Sequence, residues 1–285
     1  MEEDLCEEPC VSITILNAYS LRTALEMIED VRDGDVEIRF YKDKFVIEEF
    51  SDDERKFCNI VVKKKDLLHY RYNPFEDTSG ETPECFSVSV NTSKFISSMK
   101  CDKKQKVVIE VFCSKSSLNC AVCFCRNRSG DSMDRIDGTF DFHCGKESRI
   151  EDPFEVVYKD LEPNSVMTEK EFVDNLALFK SRKPIEVKFL LLESGTINLT
   201  SMGSEGTTIA NLPPNPNFLL DVDGQDGPEN DYEIRLPYVD VANLMKISKL
   251  GQYNVIKIYV TLDYPLLIKT RLLNYGTFSI WYVPN

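Results

Sequence analysis

Two stretches of this chain are near-copies. Gly138-Thr139-Phe140-Asp141-Phe142 and Gly276-Thr277-Phe278-Ser279-Ile280 carry the same glycine, threonine and aromatic in the same order, about half a chain apart. A recurrence at that spacing restricts the fold more than composition does, because it describes one module written twice. The second copy belongs to a longer closing stretch, from Tyr264-Pro265-Leu266-Leu267-Ile268 to Trp281-Tyr282-Val283-Pro284. There apolar and β-branched residues alternate as in a half-buried sheet, and Asn274-Tyr275-Gly276 turns one strand into the next.

The rest of the chain follows the same plan in each half: a strand, a helix, several strands, a second helix, and more strands. In the first half, 11–16 reads as a strand. Ser20 then N-caps a helix over 21–31 with Leu21, Leu25 and Ile28 on one face. A hairpin follows at 36–47, then strands near 59–63 and 86–90, and a short helix over 92–101 with Phe95, Ile96 and Met99 inward. Strands at 107–113, 119–126 and 139–144 close this half. In the second, Thr168 caps a helix and Glu171, three residues on, completes a capping box. Strands are expected at 185–191, 196–200, 207–212 and 232–236, then a helix over 238–249, a strand at 255–262 and the closing pair. The predicted organisation is an N-terminal domain 1–144, a connector 145–165 and a C-terminal domain 166–285. The connector carries Ile150, Pro153, Phe154, Val156 and Val157, more apolar surface than a plain flexible linker has.

With 42% apolar residues over 285 positions, each half can bury a core of its own. No apolar run is long enough to span a bilayer, and the N-terminus Met1-Glu2-Glu3-Asp4-Leu5 is acidic, with no signal segment. The expectation is an intracellular protein with no membrane role. The ten cysteines then stay as thiols. Cys120, Cys123 and Cys125, with His143 and Cys144 further on, alternate with Val122 and Phe124 as strand residues do, so no metal is expected.

Catalytic signatures are missing. The sequence has no phosphate-cradling loop, no dinucleotide fingerprint and no H-E-x-x-H, and only His69 and His143 offer an imidazole. The acidic loop from Asp221 has its glycines out of register for calcium, with Tyr232 where a glutamate is needed. Lys63-Lys64-Lys65 reads as a charged strand end. The chain is therefore read as non-enzymatic and without cofactors. A net charge of −14 argues against a protein that grips nucleic acid, but not against one whose cations are segregated on one face.

The ordered set of segments resembles the DNA sliding clamp family, the proliferating cell nuclear antigens. Leu21-Arg22-Thr23-Ala24-Leu25-Glu26 is similar to the clamp's first inner helix, and the end of the second helix, Met99-Lys100-Cys101, to its second. Tyr232-Glu233-Ile234-Arg235-Leu236, the helix after it, Pro265-Leu266-Leu267-Ile268 and the ending at Pro284 look like the clamp's last helix, its Pro-Leu-Val-Val strand and its terminus. The resemblance implies an α+β fold of two similar processivity-fold domains, with helices lining one face of antiparallel sheets and three chains closing a ring around duplex DNA. It also implies a polymerase, other clamp-binding-motif proteins of replication and repair, and a clamp loader as partners, and a nuclear or viral replication compartment.

Candidate sites follow from the same resemblance. The inner helices would bring Arg22, Lys94, Lys100, Lys103, Lys180, Arg182, Lys246 and Lys249 to the DNA; Arg22, Lys100 and Lys246 fall where the family places basic residues. Glu29, Asp174 and Ala177 stand where it usually has lysine or arginine, which implies a divergent member such as a large DNA virus would carry. Weak, sequence-blind contacts suffice for a protein that encircles its DNA. Subunits would join through Thr139, Phe140 and Phe142 on one chain and Thr207, Ile209 and Leu212 on the next. Clients would insert an aromatic-anchored helical turn between Phe50, Ile150, Phe154, Pro265, Trp281 and Val283. Two other readings remain open: one subunit of a heterotrimeric checkpoint clamp, or a monomeric viral polymerase accessory factor that holds DNA by charge.

Overall fold

The computed structural model describes residues 7–32, 34–74, 84–99, 106–113, 120–127, 133–143, 158, 161–192, 194–203, 206–216, 232–251, 254–261 and 264–284. The chain divides into two compact units. One comprises Met1–Glu49, Asn59–Glu151 and Asn274–Thr277, and the other Phe50–Cys58, Asp152–Leu273 and Phe278–Asn285. The division falls inside the predicted connector, and two short pieces group with the unit of the other half.

The first unit is built on β1 (Val11–Leu16), α1 (Tyr19–Glu29), β2 (Asp35–Tyr41), β3 (Lys44–Phe50), β4 (Lys56–Lys63), β5 (His69–Tyr72), β6 (Cys85–Asn91), α2 (Thr92–Ser98), β7 (Lys106–Cys113), β8 (Cys120–Asn127) and β9 (Met133–His143). Its strands lie in the order β4-β3-β2-β6-β9-β8-β7-β1-β5. Alternation positions them: Val11, Ile13 and Ile15 of β1 are buried while Ser12 and Thr14 are half-exposed. The last strand of that order, β5, reaches back to β2, β3 and β6. The Tyr70 hydroxyl of β5 reaches the carbonyls of Tyr41 (2.5 Å) and Lys44 (2.7 Å) at the β2–β3 turn, and the Tyr72 ring stacks on Phe86 at 5.6 Å. On the other face of β2, Arg39 is clamped between Glu37 (3.1 Å) and Glu48 (2.9 Å). Burial pulls its guanidinium pKa down, and Glu48 and then Glu37 more than offset that, so the net shift is upward.

The second unit holds β10 (Ser165–Thr168), α3 (Glu169–Ala177), β11 (Glu186–Leu191), β12 (Ile197–Gly203), β13 (Gly206–Leu212), β14 (Glu233–Pro237), α4 (Tyr238–Leu244), β15 (Val255–Tyr259), β16 (Leu266–Leu272) and β17 (Gly276–Tyr282). Four strands run β10-β15-β16-β17, and four form a separate sheet in the order β13-β12-β11-β14. The capping box of α3 is complete: Thr168 Oγ1 accepts from the Glu171 amide (3.2 Å), and Glu171 accepts from the Thr168 amide (2.9 Å). Those bonds hold the Glu171 carboxyl below its usual range, the Thr168 amide first and its hydroxyl second. Phe172 and Leu176 of α3 are buried, as its pattern predicts, and so is Phe179 beyond its end.

Some local expectations are corrected. Ser20 is not the N-cap of α1 but a buried residue of its first turn, and the capping position, Ala18, has no side chain to offer. The Tyr275 hydroxyl takes over: the Leu21 amide donates to it at 3.1 Å, and it lies 3.3 Å from the Asn17 carbonyl. The helix over 238–249 stops being α after Leu244 and runs on as a 3-10 turn, Met245–Lys249. The glycines of the repeated motif also differ in role. Gly276 opens β17 after a turn in which Leu273 holds φ at 49°. Gly138 is inside β9, where a Cβ would sit 2.6 Å from the Ser89 carbonyl oxygen of β6, so no larger residue fits.

Candidate nucleic-acid and client-docking surfaces

The solvent stripe of α1 consists of Tyr19, Arg22, Glu26, Glu29 and Asp30, residues that recur at helical spacing. Arg22 is already engaged with Glu26 at 3.0 Å, one turn on. Glu29 accepts a hydrogen bond from the Ser93 hydroxyl at the start of α2, which packs against α1. This stripe is net acidic and has little to offer a phosphate. On α2, Lys94 is exposed and its amide is capped by Asn91 Oδ1 at 3.1 Å. Lys100 and Lys103 lie outside the described residues.

The second unit is more basic where its helices end. Within α3, Lys170 pairs with Asp174 at 2.7 Å. Past its last turn come Lys180, Ser181, Arg182 and Lys183, all exposed, at the helix end where the backbone dipole favours cations. Lys183, which the sequence reading missed, turns the chain with φ at 40°. Lys246 and Lys249 are on the 3-10 turn that packs against α3, anchored by buried Ile247. Of the predicted DNA-facing cations, Lys246 and Lys249 thus lie on a 3-10 turn in contact with α3, and Lys180 and Arg182 lie in the turn just past the end of α3.

The predicted subunit edges fare differently. β13 ends its sheet and pairs only with β12 among the described strands. Thr207 is exposed on it and Ile209 is 56% exposed. The Leu212 side chain is buried on the inward face with Ala210. At the expected edge over 139–144, β9 pairs with β8 along 133–139 and with β6 along 138–143, so beyond Thr139 it has a paired neighbour on one side only among the described residues. Thr139 is flanked on both sides, and Phe140 and Phe142 pair with Val88 and Phe86, so their backbone is not left for a second chain on that side.

The proposed client pocket resolves into core and cleft. Trp281 is only 1% exposed and belongs to a buried cluster with Phe57, Tyr158, Tyr259 and Leu267, so it supports the site from beneath and is not a wall. Pro265 is buried too, its carbonyl taken by the Tyr158 hydroxyl of the connector. Phe50, 40% exposed, packs at a tilt on Phe57 at 4.3 Å, and Phe57 likewise on Trp281 at 4.9 Å, a ladder from solvent to core. Ile150 and Phe154 lie outside the described residues. Val283 is half-buried, with its amide on the Arg55 carbonyl at 2.9 Å, and it lines a cleft of about 200 Å³.

Arg55, Lys56, Ile185, Pro237 and Tyr282 are part of that wall, and Asp53, Glu186, Arg235, Leu236 and Asp240 complete it. At its base Lys56 Nζ meets Asp240 Oδ1 at 2.7 Å, and the carboxylate side chain is 7% exposed. The Tyr282 phenol is pushed well up, by burial first and by Asp240 second. Ile185 is 92% exposed at the rim. The cleft thus sets the apolar Ile185, Pro237 and Val283 beside two ion pairs, Lys56–Asp240 and Arg235–Glu186, a lining that can take an apolar side chain with charged neighbours.

No protein-family model and no curated protein matches the sequence. Solved structures do match the fold. A proliferating cellular nuclear antigen from Entamoeba histolytica aligns with 97% of this chain and 99% of its own, at a TM-score of 0.64 and 9% identity. The PCNA2–PCNA3 complex of Sulfolobus tokodaii aligns over 96% and 99%, at a TM-score of 0.65 and 14% identity. The architecture is thus the α+β sliding-clamp fold of mostly antiparallel sheets, and at these identities the likeness is one of fold.

Proposed function

We propose that this chain is a subunit of a ring-shaped, non-enzymatic sliding clamp that encircles duplex DNA and tethers a polymerase and other replication and repair proteins to it. The observation that carries the reading is the match of nearly the whole chain to nearly the whole of two clamp structures. The open edge of β13 supports it, since closure between copies removes an exposed strand edge. The acidic stripe on α1 fits DNA held by encirclement, with Lys180, Arg182, Lys246 and Lys249 giving weak phosphate contacts. Clients dock at the cleft beside Val283 and at Phe50. A loader opens the ring, and the clamp works in a nucleus or a viral replication compartment.

Light scattering on the purified protein tests the assembly. A homotrimer has three times the 32.7 kDa of one chain, and Thr207→Asp with Ile209→Asp reduces it to single chains. A wild-type protein that stays monomeric and binds linear DNA with steep salt dependence sinks the ring and favours an accessory factor. One finding favours a second reading, a subunit of a mixed ring: one of the matched structures is a complex of two different chains. In that case the purified chain is monomeric and assembles only with other clamp subunits.

A further inference from the structure

A rim of the first unit takes no part in this reading. The 3-10 turn Lys64–Asp66 leads into β5, and from Lys63 to Arg71 four cations face one carboxylate, Asp66, in a chain of net charge −14. Lys63, Lys64, Lys65, His69 and Arg71 are all exposed. None of the three lysines has an ion-pair partner among the described residues. Leu68, 56% exposed, stands among them.

We propose that this rim is a docking surface for an acidic, extended peptide segment of a partner protein. A carboxylate is already accepted there: Glu8 sits on Arg71 at 2.5 Å, both exposed. The platform is preorganised, with the Lys64 amide on the Asp43 carbonyl at 2.7 Å and Tyr70 anchored beneath, so little order is lost on binding. In a chain of net charge −14, a run of exposed cations steers an acidic partner toward it. The chemistry favours a peptide over nucleic acid. A phosphodiester strand gains nothing from Leu68. A peptide of spaced carboxylates with one apolar side chain uses both the lysines and the leucine.

The probe is a fluorescein-labelled peptide of alternating glutamate and valine with a central leucine, followed by anisotropy at low and at physiological salt. Binding is expected to weaken about tenfold in K63Q/K64Q/K65Q, as three partly exposed charges are neutralised, and about threefold in L68S. Both variants should unfold at the wild-type temperature, since the side chains are on the surface. Failure of the wild type to bind, or equal binding by the variants, overturns the proposal. So does a labelled DNA duplex that loses as much affinity as the peptide in the lysine variant, which would make the rim a nucleic-acid contact.

Discussion

Replacing Arg39 with methionine removes the bridging cation from a buried acidic pair. Glu37 and Glu48 stand directly opposite each other on β2 and β3, and Arg39 bridges them from a side chain 6% exposed, beside a Glu48 side chain 8% exposed. Asn59 Nδ2 donates to Glu48 at 2.9 Å, which leaves that carboxylate a neutral donor once the guanidinium is gone. Breaking one side of a buried pair costs about 3–5 kcal/mol. Because Glu37 is 23% exposed and can turn to water, the lower end, about 3 kcal/mol, is expected. Urea unfolding followed by circular dichroism measures it. A stranded carboxylate takes up a proton rather than stay charged in a dry site, so the folded variant binds the proton more tightly than the unfolded chain. Its deficit must therefore be largest at neutral pH and shrink as pH falls. Converting Glu37 and Glu48 to glutamine in the same variant should recover most of the loss. A loss below about 1 kcal/mol, or one that does not change with pH, refutes the view that Arg39 compensates buried charge.

Three further outcomes are expected. Trp281→Ala should cost about 3–5 kcal/mol by urea unfolding, as for any buried aromatic, while Phe50→Ala costs under about 1 kcal/mol; equal losses would mean that Phe50 is core as well. The phenols of Tyr70, Tyr232 and Tyr282 are all pushed above their ordinary 10.0 by burial first. The folded state holds those protons more tightly than the unfolded chain, so stability is intact below about pH 10 and falls as pH rises further; tyrosinate absorbance should appear together with loss of structure, and gradual titration of these groups in a folded protein would contradict the burial. Converting Lys180, Arg182 and Lys183 to glutamine should lower the salt slope of DNA binding by about one for each phosphate no longer neutralised, and an unchanged slope would show that these cations face elsewhere.

How far the sequence could be read depended on how local each signal was. The α3 capping box was legible because its partners are three residues apart. The cap of α1 was not, since its hydroxyl comes from Tyr275, 254 positions from Leu21. Alternation located β13 to within a residue but only the second half of β9, which begins at Met133, and it could not tell which sides of either strand are paired, because period two is the same in both cases. Trp281 was ambiguous for a similar reason: a tryptophan near a strand end reads the same in a core as in a pocket. Lys56 and Asp240 meet across 184 positions, and nothing in either neighbourhood announces the pair. The change from α to 3-10 at Met245 carries no breaker residue, so the pattern over 238–249 continued through it.

The central claim is topological, and retention on DNA of different topology tests it most directly. The protein is loaded on a nicked circular duplex, gel-filtered at high salt, and assayed again after the circle is cut once. A closed ring stays with the intact circle and is released when the DNA is linear. Equal retention on circle and line, or equal release from both, would contradict encirclement.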